Sequence, residues 1–166
     1  MTPPYRIELL LPSHDRTDFD CGVSALDRYF REQVTQDVRR RVTACYVLIE
    51  AATGAVAGFY TLAAASLPLT ALSQAHAKQL PRYPSIPVAR VGRLAVSSRN
   101  QGQGLGAAMM SDAAQRAIRS EIAVYALVVD AKGDAAAAFY EHLGFVPLAA
   151  RGRQWVQPLK NLSRLI

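Results

Sequence analysis

Cysteine is scarce: the 166-residue chain holds only Cys21 and Cys45, and no CxxC pair. A disulfide scaffold or a thiolate metal site has nothing to build on, and two semi-buried small hydrophobes in a reducing compartment are expected. Histidine is nearly as sparse, and His14, His76 and His142 stand at no metal-ligand or triad spacing, so no metal is expected. Apolar runs stop short of the roughly 18 residues that a transmembrane helix needs. The opening Met1-Thr2-Pro3-Pro4-Tyr5-Arg6 lacks the basic-then-apolar order of an export signal, so a cytoplasmic location is expected. Repeats, low-complexity tracts and splitting linkers are missing too, and residues 1–166 read as a single domain. Acidic residues are in deficit, 13 against 19 Lys and Arg, for a net charge of +6. That balance favours an anionic partner (nucleic acid, an anionic membrane or a phosphorylated ligand) without choosing among them.

What is present is 51% hydrophobic residues, enough for a core, and one stretch around which the rest can be arranged. In Arg99-Asn100-Gln101-Gly102-Gln103-Gly104-Leu105-Gly106-Ala107-Ala108, three glycines open an Ala/Met-rich helical run. Glycine permits positive φ and presents no Cβ to a ligand. A turn of this kind aims the unpaired N–H groups of a helix start, and its positive dipole end, at one spot suited to a phosphate or pyrophosphate. No Lys-[Ser/Thr] pair follows, so this is not a P-loop.

In chain order, Ile7 to Leu11 reads as an edge strand ended by Pro12. Leu26, Tyr29, Phe30, Val34 and Val38 recur at helical spacing behind Ser24, which with Asp27 approximates a capping box. Val42 to Ile49 and Val56 to Leu62 form an expected hairpin about Ala52-Thr53-Gly54. Pro68 breaks the chain, Thr70 to Leu80 reads as a helix, and three prolines make 81–87 a loop. A strand over Val88 to Val96 leads to the glycines. A helix from Gly104 to Arg119, a strand over Ile122 to Val129, a short helix from Ala135 to Leu143 closed by Gly144, and strands at Phe145-Val146 and Gln154 to Leu159 complete the pattern. The expected fold is mixed α/β with one parallel β–α–β step at the glycines.

Gly102-x-Gly104-x-x-Ala107 also fits the dinucleotide fingerprint, with Asp130 able to mimic its ribose acid. A Rossmann domain, however, places that turn directly after its first strand, and here a hairpin precedes it while only about 60 residues follow.

The residues instead resemble the GNAT (GCN5-related) N-acetyltransferases. Gln101-Gly102-Gln103-Gly104-Leu105-Gly106 matches their [Gln/Arg]-x-x-Gly-x-[Gly/Ala] acetyl-CoA motif, Val91 to Val96 is similar to the strand feeding it, and Ala138-Phe139-Tyr140-Glu141-His142-Leu143-Gly144-Phe145 resembles their A-x-x-F-Y-x-x-x-G-F segment. The resemblance implies a mostly antiparallel central sheet flanked by helices. It also implies acetyl-CoA as donor, held by Leu94, Ala95, Val96, Gln101, Gly102, Gln103, Gly104, Leu105, Gly106, Ala107, Asp130 and Phe139, with Tyr140 as the general acid that protonates the leaving thiolate. Phe19 to Phe30, the Ala-rich second hairpin strand and Gln157-Pro158-Leu159-Lys160 are similar to the GNAT-type toxins of bacterial toxin–antitoxin pairs. That narrower likeness implies acetylation of the α-amine of aminoacyl-tRNA, which blocks translation, together with a homodimer and a ribbon-helix-helix antitoxin of the DUF1778 class.

No general base stands out, and an α-amine does not demand one. Its pKa near 7.7–8.0 leaves roughly a fifth neutral at pH about 7.2, against about one part in a thousand for lysine. Arg39, Arg40 and Arg41 at the end of the first helix, and Arg82, Arg90 and Arg93 before the glycines, are the candidate tRNA-phosphate contacts. For any single arginine, a solvated face or an intramolecular pair is the competing reading. Two other functions stay open: acetylation of a small-molecule amine, whose cationic substrate would ask for acidic residues in the cleft, and non-enzymatic nucleic-acid binding. No membrane partner is expected.

Overall fold

The computed structural model describes residues 4–148 and 152–162, which fall into two compact units, one of residues 4–63 and 92–113 and the other of 64–91, 114–148 and 152–162.

The first unit carries an antiparallel sheet. Strand β1 (Tyr5–Leu9) pairs with β2 (Ala44–Glu50), β2 with β3 (Val56–Pro68), and β3 with the short β5 (Leu94–Val96). Its core is built on Phe19, Phe30 and Phe59, with Phe30 stacked on Phe59 at 4.1 Å and Phe19 edge-on to both. Such ring pairs add about 0.5–1.5 kcal/mol each beyond the area they bury.

The first helix departs from expectation in an informative way. It runs as α1 (Ser24–Arg28), a π-helical turn (Tyr29–Gln33) and α2 (Val34–Arg39). Leu26, Phe30, Val34 and Val38 are spaced by four, so on an α-helix each step drifts by about 40°. One extra residue in a π turn takes back about 100°, and all four face the same core cluster. Arg16 braces the widened turn by donating to the Phe30 carbonyl (2.6 Å) and to Thr35 Oγ1 (2.9 Å). Ser24 does not cap. Instead Val23 holds the cap position without a side-chain bond, and the buried Asp27 carboxylate reaches back to accept from the Cys21 N–H at 2.8 Å.

The second unit carries β4 (Ser85–Val91), β6 (Ala126–Asp130), β8 (Gln154–Pro158) and β7 (Val146–Pro147) in that order. The β4–β6 pair is parallel and the others antiparallel. Helix α4 (Leu105–Arg119) lies between β4 and β6 in sequence, so the parallel step is present. Helices α3 (Gln74–Ala77), α5 (Asp134–His142) and α6 (Leu159–Leu162) belong to this unit.

Several boundaries move. The edge strand is Tyr5–Leu9, not Ile7 to Leu11, and β3 continues to Pro68, which ends the strand rather than breaking a loop. The stretch expected as one strand over Val88 to Val96 is two, interrupted at Gly92-Arg93, and only its first half joins the parallel step. Pro87 lies inside β4, where its carbonyl accepts from the Tyr125 N–H. The ring forbids donation, not acceptance. The helix expected over Thr70 to Leu80 shrinks to Gln74–Ala77, and Ile122, expected in a core strand, is 77% exposed. Among the described residues no helix is long and apolar enough to cross a membrane.

Gly58 marks the tightest contact in the first unit. A Cβ built there would stand 2.8 Å from the Ala95 carbonyl oxygen and 3.1 Å from Cε of the fully buried Met109. Gly58→Ala should therefore lose about 1–3 kcal/mol of stability through overpacking. An unchanged urea midpoint would mean that β5 and Met109 can withdraw freely.

Candidate active site

Residues expected to hold the acetyl donor fall into both units. In the first, Val96, Ala95 and Leu94 of β5 pair with Gly58, Phe59 and Tyr60 of β3. Among the described residues β3 is the only strand paired with β5, so its other edge presents peptide groups to a ligand. An amide-bearing chain would add there as a further strand does.

After β5 the backbone is fastened at successive points. Ser97 N–H donates to the Ala57 carbonyl, Ser98 N–H to Asp20, and Asn100 N–H to Ser97, each at 2.8 Å. The buried Asn100 amide donates to Tyr5 Oη (3.0 Å) and Glu50 Oε2 (3.2 Å). Gln101 Nε2 donates to the carbonyls of Cys21 and Val96, both at 3.0 Å, so its side chain holds the loop. Gln103 Oε1 accepts from Tyr5 at 3.3 Å.

Beyond this anchored stretch the chain opens. Gly102 and Gly104 have φ of +83° and +75°, and no atom lies within 4 Å of where either Cβ would be. Their requirement is conformational, since left-handed backbone strains other residues, and the space beside them is clear. Gly106 is ordinary helix. The N–H groups of Leu105, Gly106 and Ala107, in the first turn of the 15-residue α4, have no acceptor within the helix. No carboxylate sits in that turn to compete with an anion. A pyrophosphate fits this arrangement. Leu105 itself is buried and seats the helix.

In the second unit Tyr140 lies on α5, entered through Gly133 at φ +97°. It is 4% exposed, between the rings of Phe139 (5.1 Å) and Phe145 (5.6 Å). The turn behind it is fixed by Gly144 at φ +93°, where a Cβ would come within 2.8 Å of Gln157 Nε2. Burial first, and the Asp130 carboxylate second, push the Tyr140 phenol above its ordinary range. It stays protonated at any physiological pH and can act as a proton donor.

Asp130, at the end of β6, is engaged by Arg90, whose Nε donates to Oδ2 at 2.9 Å and whose Nη2 reaches the same oxygen. Arg90, expected to meet tRNA, thus has an intramolecular partner. Arg93 does as well, its guanidinium 3.6 Å from the centre of the Tyr29 ring. Arg39, Arg40 and Arg41 stay exposed, Arg41 at a left-handed φ of 62°, and Arg82 is exposed in the second unit. Burial pushes Cys21 up to about 11 and Cys45 up to about 12, so neither offers a thiolate at neutral pH. The residues that sequence reasoning missed are Tyr5, Glu50 and Asn100. They stand outside the [Gln/Arg]-x-x-Gly-x-[Gly/Ala] motif, and Tyr5 and Glu50 reach Asn100 only through folding.

Residues 42–147 match the family model described as "Acetyltransferase (GNAT) domain". The tRNA-acetylating toxin of Mycobacterium tuberculosis (strain ATCC 25618 / H37Rv) is 34% identical over 134 residues, covering 79% of this chain and 78% of that protein. The structure of AtaT complexed with acetyl-methionyl-tRNAfMet superposes with a TM-score of 0.87 at 29% identity, covering 97% of this chain and 98% of that one. A tyrosine-to-phenylalanine variant of AtaT, bound to the C-terminus of the antitoxin AtaR and acetyl-CoA, gives a TM-score of 0.81 at 26% identity, covering 98% of each chain. The family match spans well over half of the sequence: the chain belongs to the GNAT acetyltransferases.

Proposed function

We propose that the protein, as one acetyltransferase domain of residues 1–166, transfers acetyl from acetyl-CoA to the α-amine of an aminoacyl-tRNA, and so acts as the toxin of a bacterial toxin–antitoxin pair. The observation that carries this reading is the likeness, along nearly the whole chain, to AtaT complexed with acetyl-methionyl-tRNAfMet. Its place of action is then the cytoplasm, where charged tRNA is found. An antitoxin partner is in keeping with AtaT bound to the C-terminus of the antitoxin AtaR, and its ribbon-helix-helix type and a homodimer complete the proposal.

Acetyl-CoA supplies the acetyl group as an activated thioester. The N–H groups opening α4 and the turn at Gly102 and Gly104 bind its pyrophosphate, while the outer edge of Leu94–Val96 takes its amide chain and offers an N–H to the carbonyl that gains negative charge. Tyr140 delivers its phenolic proton to the departing thiolate sulfur. The neutral α-amine attacks unaided, because roughly a fifth of it is unprotonated near pH 7.2, and the proton its nitrogen sheds as the amide forms balances the one Tyr140 gives to sulfur. Phe139 walls the Tyr140 ring, and Asp130, held by Arg90, helps to keep the phenol protonated.

The substrate claim is checked by incubating the protein with acetyl-CoA and charged tRNA, which should yield N-acetyl-aminoacyl-tRNA. Transfer only to free small amines would sink it. Tyr140→Phe should lower kcat by about 100-fold or more while leaving acetyl-CoA affinity nearly unchanged. The rate should rise with pH through roughly 7.7–8.0 as the amine loses its proton, with no fall from Tyr140 until well above pH 10, because the shift of that phenol is upward. An alkaline limb near neutrality that disappears in Tyr140→Phe would contradict the buried acid. Gly104→Val, which forces a branched residue to φ +75°, should weaken acetyl-CoA binding by calorimetry, and unchanged affinity would refute the loop assignment.

A further inference from the structure

The segment between β3 and β4, expected as a helix over Thr70 to Leu80 followed by a loop, folds into the wall of a groove. Leu69, Ala77, Leu80 and Pro84 supply apolar surface to a space of about 700 Å³. Around it stand Lys78, Arg82 and Tyr83, all exposed, and among the described residues no Asp or Glu lines it. The Leu69 N–H donates to the Pro84 carbonyl at 3.2 Å and ties the two ends of the segment together. Lys160 of α6 binds Gln79 and braces the wall at the end of α3. Arg82 and Tyr83 sit between Pro81 and Pro84, whose rings fix φ on either side, and the Tyr83 N–H closes on the Pro81 carbonyl at 2.9 Å. Tyr83 is 63% exposed although it is among the larger apolar-bodied residues of the unit.

We infer that this groove is a nucleotide subsite: Tyr83 stacks an unpaired base of the tRNA, and Arg82 with Lys78 engages the phosphates beside it. The inference deepens the aminoacyl-tRNA reading and rests on it. Its ground is complementarity. Two cations with no carboxylate select an anion, and an exposed ring over an apolar floor selects a flat, weakly polar face attached to that anion. A nucleotide combines the two, and aromatic platforms of this kind with basic neighbours bind single-stranded nucleic acid without demanding a sequence. A backbone held in advance by two flanking prolines loses little freedom when the ring it carries binds. Of the arginines expected to meet tRNA, Arg90 is engaged by Asp130 and Arg93 by the Tyr29 ring, whereas Arg82 is exposed beside Tyr83.

The test is steady-state acetylation of charged tRNA by Tyr83→Ala, Tyr83→Trp and the pair Lys78→Ala with Arg82→Ala. Tyr83→Ala should raise KM for charged tRNA by about 5- to 100-fold with kcat and the KM for acetyl-CoA little changed. Tyr83→Trp should restore it. The double variant should flatten the dependence of tRNA affinity on salt by about two phosphate contacts. An unchanged tRNA KM in Tyr83→Ala, with wild-type protein acetylating charged tRNA, would overturn the subsite and leave the substrate reading standing. Should the wild-type protein fail on charged tRNA, the substrate reading itself falls. Variants that keep their tRNA KM but escape neutralisation by the antitoxin would reassign the groove to a protein partner and likewise overturn the inference.

Discussion

The close pairing of β5 with β3 is the constraint on which the cofactor half of the site depends. A glycine turn at a helix start is by itself a floppy anion cradle, because residues that tolerate positive φ also tolerate much else. Here its entry is fixed. Gly58 lets the Ala95 carbonyl approach closer than any side chain would allow, and Met109 of α4 fills the remaining space. The same helix is tied to β3 by Tyr60, whose hydroxyl donates to Asp112 at 2.6 Å. Both ends of the turn are therefore referred to one strand. Between them Asn100 and Gln101 use their side chains inward, and the space beside the backbone at Gly102 and Gly104 stays clear. Preorganised N–H groups of this kind need no rearrangement when the charge arrives.

The arginines show how far composition can mislead about a partner. A net charge of +6 suggests a broad phosphate-binding surface. Much of that charge is structural: Arg16 and Arg31 donate to the carbonyls of Phe30 and Phe19, Arg93 covers Tyr29, and Arg90 holds Asp130. Each satisfies a carbonyl, a ring face or a carboxylate that burial would otherwise make costly. The excess still sets the long-range field, but among the arginines expected to meet phosphate Arg90 and Arg93 are engaged within the protein, and Arg39 to Arg41 and Arg82 are exposed.

Sequence reading succeeded where chemistry is local. The glycine turn, the helix behind it and the Phe139-Tyr140 helix closed by Gly144 are each specified within a dozen residues, and all three are present. The parallel step was legible from its order, but the strand ends were not. Proline was read as a breaker at Pro68 and Pro87, whereas it removes only a donor and can end or even occupy a strand. The π turn was implicit in the four-residue spacing from Leu26 to Val38, though a periodicity count absorbs it silently into a helix. What holds the site was invisible. Asn100 meets Glu50 and Tyr5, and Arg90 meets Asp130, at separations of 40 to 95 residues.

Tyr140 presents a last difficulty. Proton transfer is most efficient when the acid's pKa lies near the operating pH, yet burial drives this phenol upward and away from a thiol's ordinary value near 8.5. In water such a donor would be a poor match for a thiolate. Burial acts on sulfur in the same direction, however, because removing water penalises any anion. The two cysteines of this chain show its size: Cys45, wholly buried, is pushed up to about 12, and the less buried Cys21 to about 11. A thiolate released beside Tyr140 would share the dry surroundings of that ring, and its basicity would climb with the phenol's. On the proposed mechanism the mismatch in water would narrow, and the Asp130 carboxylate, which also raises the phenol, favours its protonated form. In the proposed role of Tyr140 as the acid, burial of the ring is part of the chemistry, because it raises the phenol and a neighbouring thiolate together.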